Sequence, residues 1–467
     1  MSKIVKSLRD AIILSGLTDG MTVSFHHHLR NGDYVLNMVM DEIASMGIKD
    51  ITVNASSLFD VHMPITQHIK NGVVTGIITD YISSGVGKVI SKGIMDKPVS
   101  FRTHGGRPKD IALGKTPIDV AFIAAPTSDN MGNITGKYGK SACGSMGYAF
   151  ADAMYAKKTV VITDNIVPYP LIQPSITENF IDFVVETEAI GNPAGIVSGT
   201  TKITRDPVGL VMASMAAKVI EASGLLKDGF SFQTGAGGAS LAAAKYLKEI
   251  MLAKGIKGSF GMGGITGYMV DMLNSGCFES LLDVQCFDLD AVESIRSNPK
   301  HTEMSALRYA APLGKSAAVD SLDVVILGAT EIDTDFNVNV HTDSSGYIMG
   351  GSGGHSDAAA GSKLCMIIAP LFRARMPIVT DRVTCISTPG RDVDVLVTQG
   401  GVAVNPRRED LKKSLEKAGI SVCDIKELKE RAEALTGKPC KLPKGDKVVA
   451  EIISRDGELL DRIYSVR

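Results

Sequence analysis

The sequence lacks the features that mark several large classes of protein. It has no tryptophan, no CxxC cysteine pair and no long apolar run, and its 49 Lys and Arg residues nearly balance 51 Asp and Glu residues. A net charge of −2 provides no basic surface, so we expect no nucleic-acid partner. The seven cysteines are odd in number and scattered, which argues against a zinc ribbon or a secreted disulfide framework. They are Cys143, Cys277, Cys286, Cys365, Cys385, Cys423 and Cys440.

The beginning of the chain carries no recognisable export signal. Asp10 interrupts the stretch in which a signal peptide needs an apolar core, and no run of about 18 apolar residues occurs. Together with the scattered cysteines, these absences predict a cytoplasmic protein without a membrane partner. At about 150 residues per domain, a chain of 467 residues predicts two large domains or three smaller ones.

Glycine, in contrast, is plentiful, with 48 residues in the chain. The glycines cluster at the ends of apolar runs, which is typical of tight loops that approach a ligand closely. Hydrophobic residues make up 44% of the sequence, which argues against disorder as the reason for the glycine content.

The chain contains an internal duplication. Four segments of the first half recur in the same order in the second half, and each half alternates helical periodicity with short β-rich runs. This alternation predicts βαβ units with mostly parallel sheets. We therefore predict an α/β fold of two tandem open domains, residues 1–200 and 201–467, the second ending in two short helices and a hairpin. The matching segments are 5–24 with 213–232, 46–57 with 254–265, 118–133 with 322–337, and 150–163 with 355–368.

This architecture also predicts where a ligand binds. In open α/β sheets, ligands occupy the crevice beyond the carboxyl ends of the parallel strands. Two similar halves would place two such edges face to face. We therefore expect the functional site between the domains, in the loops that follow the strands.

Two loops of the first half combine imidazole and guanidinium groups, which suit a carboxylate-rich ligand. The triplet His26-His27-His28 and Arg30 follow the first strand, and a later glycine-containing loop holds Arg102 and His104. For the histidine triplet, the alternatives are plain packing and a metal site; for the loop of Arg102 and His104, the alternative is a solvated basic turn. The small polar loop 54–57, which follows the second strand, either contacts the same ligand or caps a helix. The substrate-binding candidates are His26, His27, Arg30, Asn54, Ser56, Arg102 and His104.

Glycine-rich loops of the second half could hold an anion or an oxyanion. Residues 233–240 nearly match GxGxxG, but Ser240 takes the place of the third glycine and no acid ends the next strand, which argues against NAD binding. A helix N-terminus there still suits a phosphate or carboxylate, and the run 350–354 offers backbone N–H groups rather than a flexible linker. The candidates are Thr234, Gly235, Gly237, Gly238, Gly263, Gly264, Gly351, Gly353 and Gly354.

One carboxylate distinguishes the second half from the first. Glu331 follows the apolar run DVVILGA, where the first repeat has Thr127, while Asp333 and Asn337 repeat Asp129 and Asn133. A carboxylate at the end of a buried strand can serve as a nucleophile or base. A structural turn and a calcium site are the alternatives, although the glycine and distal glutamate of an EF-hand are missing.

Taken together, these motifs resemble the alpha subunit of citrate lyase, the citrate:acyl-carrier-protein transferase. The resemblance covers nearly the whole chain, although members usually carry further residues before the first helix. It is carried by VSFHHHLRNGD, VNASS, FRTHGGRPKDIALG, APTSDNMGNITG, FQTGAGGAS, FGMGGITGYM, GATEIDTDFNVNV and GGSGGHSDAAAGSK.

The resemblance implies a two-domain CoA-transferase-like fold and a reaction. The thiol of a CoA-derived prosthetic group, carried by the gamma (acyl carrier) subunit, moves from acetate to citrate, and a beta subunit then cleaves the citryl thioester. The chain itself would bind no cofactor and no metal, would form homo-oligomers within the complex, and would accept acetyl-CoA as a surrogate donor. A citramalate-specific homologue, an acyl-CoA hydrolase or transferase for another acid, and a non-catalytic docking scaffold are the alternatives.

The resemblance also implies two possible routes for the acyl exchange. In one, Glu331 attacks the thioester and forms a glutamyl intermediate, as in related CoA-transferases. In the other, a citrate carboxylate attacks directly within a ternary complex and Glu331 only positions or polarises. On either route, backbone N–H groups of the glycine loops would stabilise the negative charge that develops on a carbonyl oxygen.

Overall fold

A computed structural model describes residues 2–197, 202–438 and 443–466. The predicted domain boundary between residues 200 and 201 and the residue Cys440 lie outside these ranges. The helices are α1 Leu8–Ser15, α2 Val35–Ser45, α3 Ile65–Lys70, α4 Ser84–Ser91, α5 Gly106–Ala112, α6 Ala149–Tyr155, α7 Pro207–Ala222, α8 Gly238–Lys254, α9 Gly267–Asn274, α10 Leu289–Ser297, α11 Ala306–Ala310, α12 His355–Gly361, α13 Glu409–Lys417 and α14 Ile425–Thr436.

The strands are numbered in chain order. Those before residue 198 are β1 Ile4–Val5, β2 Thr22–Phe25, β3 Ile51–Ala55, β4 Val74–Thr79, β5 Val99–Phe101, β6 Val120–Ala125, β7 Thr127–Asp129, β8 Ile134–Thr135, β9 Lys158–Thr163, β10 Ile166–Val167 and β11 Phe183–Glu186. Those after residue 201 are β12 Ser231–Thr234, β13 Gly258–Ile265, β14 Phe278–Cys286, β15 His301–Glu303, β16 Val324–Leu327, β17 Glu331–Asp333, β18 Val338–Asn339, β19 Leu364–Ile368, β20 Phe372–Arg373, β21 Met376–Pro377, β22 Val379–Thr380, β23 Val395–Thr398, β24 Gly401–Val404, β25 Val422–Cys423, β26 Lys444–Ile453 and β27 Leu459–Val466.

The predicted duplication is confirmed by the order of the strands. The first large sheet contains the run β11-β9-β6-β2-β3-β4-β5, and the second contains β23-β19-β16-β12-β13-β14-β15, in both cases with parallel neighbours. The central strands β6 and β16 are apolar and buried at every position. Such runs are typical of strands covered on both faces, as parallel sheets require.

Each domain also repeats a small three-stranded sheet, in the order β10-β7-β8 and β18-β17-β22. The turn that follows is the same in both. Asp129 Oδ1 accepts the Asn133 backbone N–H at 3.0 Å, and Asp333 Oδ1 accepts the Asn337 N–H at 2.9 Å. The aspartate and asparagine retained in both halves are therefore explained by a shared turn.

The C-terminal hairpin departs from the predicted division of the chain. Its strands β26 and β27 pair as expected around Asp456-Gly457, but β26 pairs in parallel with β5 and so extends the sheet of the first domain. The hairpin was predicted as a tail of residues 201–467. Its position follows from the edge of β5, whose unpaired backbone groups β26 satisfies, and that partner is remote in sequence.

None of the helices within the described ranges combines the length and the apolar character needed to cross a membrane.

Candidate active site

A cleft of about 380 Å³ lies between the two domains, and loops at the carboxyl ends of the parallel strands form its walls. Its position agrees with the rule for ligand sites in open α/β sheets. From the first domain it is lined by His27, Arg30, Ser57, Phe59, Tyr81, His104 and Tyr148, and from the second by Gln233, Thr234, Gly235, Gly237, Ser240, Gly264, Gln285, Phe287, Tyr309, Gly328, Gly351, Ser352, Gly353, Gly354 and His355, among others.

His27 forms hydrogen bonds with residues of both domains. Its Nδ1 lies 2.6 Å from Ser56 Oγ, and its Nε2 lies 3.0 Å from Oε1 of Gln285 in the second domain, whose amide nitrogen donates to the His27 carbonyl at 3.1 Å. Burial lowers the pKa of His27 well below its ordinary value, and neighbouring His104 and His28 lower it further. His27 is therefore a neutral, rigid part of the wall, with both ring nitrogens bonded within the protein.

Arg30 presents a positive charge to the cleft. Its guanidinium carbon lies 5.4 Å from the ring centre of Phe59 and 4.7 Å from that of Phe287, and no carboxylate of the described residues forms an ion pair with it. Burial lowers its pKa, but an arginine stays charged at neutral pH. Its φ of +51° is unusual for a residue other than glycine, and such strain is concentrated at functional sites. The group is suited to an anionic ligand.

His104 is oriented by a buried carboxylate. Its Nδ1 lies 2.9 Å from Oδ2 of Asp80, whose side chain is 1% exposed. Burial raises the pKa of Asp80, while the hydrogen bond from His104 and the charge of Arg107 lower it. The ring of Tyr148 lies 4.4 Å from that of His104, centre to centre.

The glycine loop 350–354 belongs to the second domain but is bonded to the first. The backbone N–H of Gly353 donates to the Asp80 carbonyl at 3.2 Å, and the Gly353 carbonyl accepts the His104 N–H at 2.9 Å. A Cβ on Gly351 would lie 2.2 Å from the Asp80 carbonyl oxygen, so only glycine allows this approach. The N–H of Gly353 is engaged, whereas those of Gly351 and Gly354 donate to no group of the described residues.

The loop that precedes α8 contributes a second set of donors. The N–H of Gly235 donates to the Ile326 carbonyl at 2.8 Å, whereas the N–H of Gly237 has no acceptor among the described residues. The Thr234 hydroxyl donates to the Gly235 carbonyl at 3.2 Å. Nearby, the amide of Gln233 donates to the Tyr309 hydroxyl at 2.9 Å.

The remaining glycine candidates serve packing in this structure. A Cβ on Gly263 would lie 2.9 Å from Gln233, and one on Gly264 would lie 2.2 Å from the Phe287 ring. Gly238 approaches the Lys202 carbonyl instead of the cleft, at 2.9 Å from its would-be Cβ. Of the three, only Gly264 lines the cleft.

His26 lies behind the cleft wall. Its Nδ1 contacts Nδ1 of His28, whose Nε2 accepts the Tyr148 backbone N–H at 3.2 Å. His28 must therefore carry its hydrogen on Nδ1 and donate it to His26. Burial lowers the pKa of His26 to about 4. Both rings are neutral and enclosed, and neither lines the cleft.

Asn54 and Arg102 are also engaged within the protein. Arg107 is 1% exposed, donates to Asn54 Oδ1 at 2.7 Å and binds Asp152 with two bonds of 2.9 Å. Arg102 lies 2.9 Å from Asp110. These groups support the first domain behind the cleft, as Ser56 supports His27, and sequence alone could not distinguish such supports from ligand contacts.

Glu331 does not line the cleft. Its side chain is buried, and Oε2 accepts the Thr384 backbone N–H at 2.7 Å and the Asn339 side-chain amide at 3.0 Å. The same amide donates to the Thr342 hydroxyl at 2.9 Å. These bonds hold the small sheet of β17 and β18 to the chain beyond it. A catalytic role of Glu331 stays a prediction.

Several residues in the cleft wall, and Asp80 behind it, escaped the sequence analysis. Asp80 and Tyr81 follow β4, and Gln285 and Phe287 stand at the end of β14. The strand-end rule that singled out the other loops could have found these four. Tyr148, in contrast, follows a glycine-containing loop before α6, and no signal at that position indicated a cleft residue.

Across the described ranges, no group of three His, Cys, Asp or Glu side chains is arranged to hold a metal ion.

The chain matches known proteins over its full length. The family model described as citrate lyase, alpha subunit, matches residues 1–466. The citrate lyase alpha chain of Klebsiella pneumoniae is 49% identical over 465 residues, which cover 100% of this chain and 92% of that one. The citrate lyase alpha chain of Haemophilus influenzae is also 49% identical, over 100% of this chain and 93% of that one.

Comparison with solved structures gives the same family. The alpha subunit of citrate lyase from Streptococcus mutans, in complex with citrate, superimposes with a TM-score of 0.98 at 48% identity, covering 100% of this chain and 92% of that one. A Pseudomonas malonate decarboxylase hetero-tetramer in complex with malonate reaches a TM-score of 0.71 at 17% identity, over 93% of this chain and 86% of that one, and shares the fold. This chain therefore belongs to the family of citrate lyase alpha subunits, the acyl-exchange, or citrate CoA-transferase, component of that enzyme.

Proposed function

We propose that the cleft between the domains is the site of acyl exchange and that Arg30 binds a carboxylate of citrate there. The observation that carries the proposal is the guanidinium of Arg30, which faces the cleft without an ion-pair partner among the described carboxylates. A partly buried positive charge without a partner is costly, and an anionic substrate would compensate it. The Streptococcus mutans relative, which is solved with citrate, supports the choice of ligand.

The thioester would lie across the cleft from Arg30, against the two glycine loops. The N–H groups of Gly237, Gly351 and Gly354 are free to donate to an oxyanion, whereas those of Gly235 and Gly353 are already bonded. Such donors stabilise negative charge as it develops on a thioester carbonyl. The arm of a CoA-derived prosthetic group, or acetyl-CoA in its place, would reach this carbonyl through the open side of the cleft.

Direct attack by citrate is the route that fits this geometry better. Glu331 is buried outside the cleft lining and its Oε2 accepts two hydrogen bonds. A nucleophile must approach the reacting carbon to about 3–3.5 Å. We therefore assign Glu331 the role of holding the β17 region, and a citrate carboxylate the role of nucleophile.

The choice of acceptor tests the proposed function. With acetyl-CoA as donor, we expect citrate to react at least about 10-fold faster than citramalate, since one charge-assisted hydrogen bond contributes about 1.5–3 kcal/mol. Appearance of the acyl product is measured with citrate, citramalate or buffer alone. Equal rates with citramalate would overturn the choice of citrate, and thioester loss in buffer alone would indicate a hydrolase.

Glu331→Gln tests the route. Gln can keep both accepted bonds through its amide oxygen, so we expect turnover within about threefold of the wild type on the direct route and no borohydride-trapped adduct. Glu303→Gln is a matched control, because Glu303 also accepts a backbone N–H, that of Met146 at 2.6 Å, away from the cleft. A loss of about 1000-fold with a trapped adduct at Glu331 in the wild type would favour the covalent route.

We also infer the partner subunits with which this chain works. As in the family it belongs to, the acyl group would arrive on a gamma carrier subunit and the citryl thioester would leave to a beta subunit for cleavage, with several copies of this chain in the complex. No observation favours a docking role without activity. A cytoplasmic location stays a prediction.

A further inference from the structure

We propose that His104, held by Asp80, is the acid and base of the acyl exchange: it protonates the departing sulfur in the first step and takes the proton back in the second. This inference rests on the proposed function of the cleft. Asp80 is a positioning residue in it, because it touches the imidazole and not the substrate.

The geometry of the pair carries the inference. His104 lies in the cleft wall with its Nδ1 2.9 Å from Oδ2 of Asp80, and Asp80 is fully enclosed. An ionised carboxylate can only accept, so Nδ1 carries a hydrogen and Nε2 is left to exchange a proton with a ligand. No group of the described residues forms a hydrogen bond with that Nε2.

The loop across the cleft leaves Nε2 accessible. A Cβ on Gly353 would lie 3.1 Å from Nε2, and the φ of Gly353 is +52°. Any side chain at this position would therefore cover the nitrogen. The carbonyl of Gly353 accepts the His104 backbone N–H at 2.9 Å, which fixes the imidazole against the loop that carries the free N–H donors.

Comparison with the other imidazoles sets His104 apart. Three further histidines are paired with aspartates in the described chain, His62 with Asp33, His68 with Asp41 and His301 with Asp283, and none of them lines the cleft. The cleft histidines His27 and His355 have both ring nitrogens bonded within the protein. His104 alone combines a carboxylate partner, a free nitrogen and a place in the wall.

The groups that face His104 come from several elements. After β2 lie His27 and His28, which are neutral because burial lowers the pKa of each. Before α6 lies Tyr148, whose pKa burial raises well above its ordinary value. Beyond these, the charged groups are Asp80 after β4, Arg102 and Arg107 around the start of α5, and Asp357 in α12. Asp80 is the only one of them within hydrogen-bond distance of the ring.

The chemistry balances with one proton. In the first step a citrate carboxylate oxygen bonds to the acetyl carbon, the carbon–sulfur bond breaks, and the sulfur takes the proton from Nε2, leaving a mixed anhydride and a thiol. In the second step the thiol returns its proton to Nε2 while sulfur bonds to the citryl carbon, and the bond to acetate breaks. The thiolate of a thiol with an ordinary pKa, about 8.5, leaves less readily than the carboxylate that has just added, whose acid has a pKa of about 4. Proton donation to sulfur therefore lowers the first barrier.

Leaving-group dependence tests the proposal on the full chain. Two acetyl donors are compared with citrate as acceptor: the thioester of N-acetylcysteamine, an aliphatic thiol, and that of 4-nitrothiophenol, a much more acidic thiol that needs no proton to depart. We expect His104→Gln to lower kcat about 100-fold with the first donor, within the range of general acid catalysis, and only a few-fold with the second. Gln keeps a donor toward Asp80, so the fold should tolerate it.

Substitutions of Asp80 provide a second test of the proposal. Because Asp80 orients the imidazole, Asp80→Asn should lower kcat more with the aliphatic thioester than with the 4-nitrothiophenol thioester, as His104→Gln does, and Asp80→Glu should restore the first rate in part. His68→Gln, which removes another aspartate-bound imidazole outside the cleft, should leave the rates with both donors unchanged.

The outcomes are distinct. Equal losses with both donors in His104→Gln, or unchanged rates with both, would overturn the proton-transfer role. If the wild type transfers to citrate and Arg30→Met raises the KM for citrate, but His104→Gln matches the wild type with both donors, this inference fails and the proposed function stands. If the wild type transfers nothing to citrate, both fail.

Discussion

Replacing Arg30 with methionine is expected to raise the KM for citrate about 10- to 150-fold while the KM for acetyl-CoA changes little. The guanidinium lies against Phe59 and Phe287 in the cleft and has no ion-pair partner among the described residues. A charge-assisted hydrogen bond to a carboxylate contributes about 1.5–3 kcal/mol, which corresponds to that range. Methionine keeps much of the apolar contact with the two rings and the same backbone cost at positive φ, so the comparison isolates the charge.

Steady-state kinetics with each substrate varied in turn give this result. The KM for citrate of Arg30→Lys should lie between those of the wild type and Arg30→Met, because lysine keeps the positive charge but lacks the planar guanidinium. The control is Arg391→Met, which removes a surface guanidinium that is paired with Glu458 and is not part of the cleft lining. A citrate KM for Arg30→Met within threefold of the wild type would mean that citrate is bound elsewhere.

Replacing Arg107 with methionine is expected to destabilise the first domain by about 3–5 kcal/mol, because it leaves the buried carboxylate of Asp152 without its partner. Both side chains are 1% exposed, and Arg107 joins Asp152 on α6 to Asn54 at the end of β3. For a domain of this size the loss amounts to a Tm lower by about 6–20 °C, measured by calorimetry. The double replacement Arg107→Met with Asp152→Leu should recover most of the loss, since no charge is then left buried.

The same variant should depend on pH in a defined direction. Burial raises the pKa of Asp152 and Arg107 lowers it, so without Arg107 the folded-state pKa rises further above the unfolded value. A carboxyl group with a raised folded-state pKa loses stability as pH increases through the titration. The deficit of Arg107→Met relative to the wild type should therefore be larger at pH 8 than at pH 5. An equal deficit at both would mean that Asp152 keeps its charge by other means.

Most of the fold could be predicted from the sequence. Apolar runs such as Val120–Ala125 are long enough for one strand and apolar on both faces, which identifies a parallel sheet, and the repeated order of segments predicts the duplicated domains. Pairing of β26 with β5 was not readable, because the strands are more than 340 residues apart and any unpaired sheet edge could have accepted the hairpin.

For the site, the residues themselves determined much less. The sequence alone determined that imidazole, guanidinium and glycine-rich loops follow the strands, because strand ends and motif composition are local properties. Only the tertiary structure decided which of them face the cleft. His26 and His27 are neighbours in the chain, yet one lies behind the wall and the other in it, since successive side chains of an extended segment point in opposite directions. Asp80 and Glu331 are both buried carboxylates after strands, and only folding decided that one holds a cleft histidine while the other holds Thr384 and Asn339.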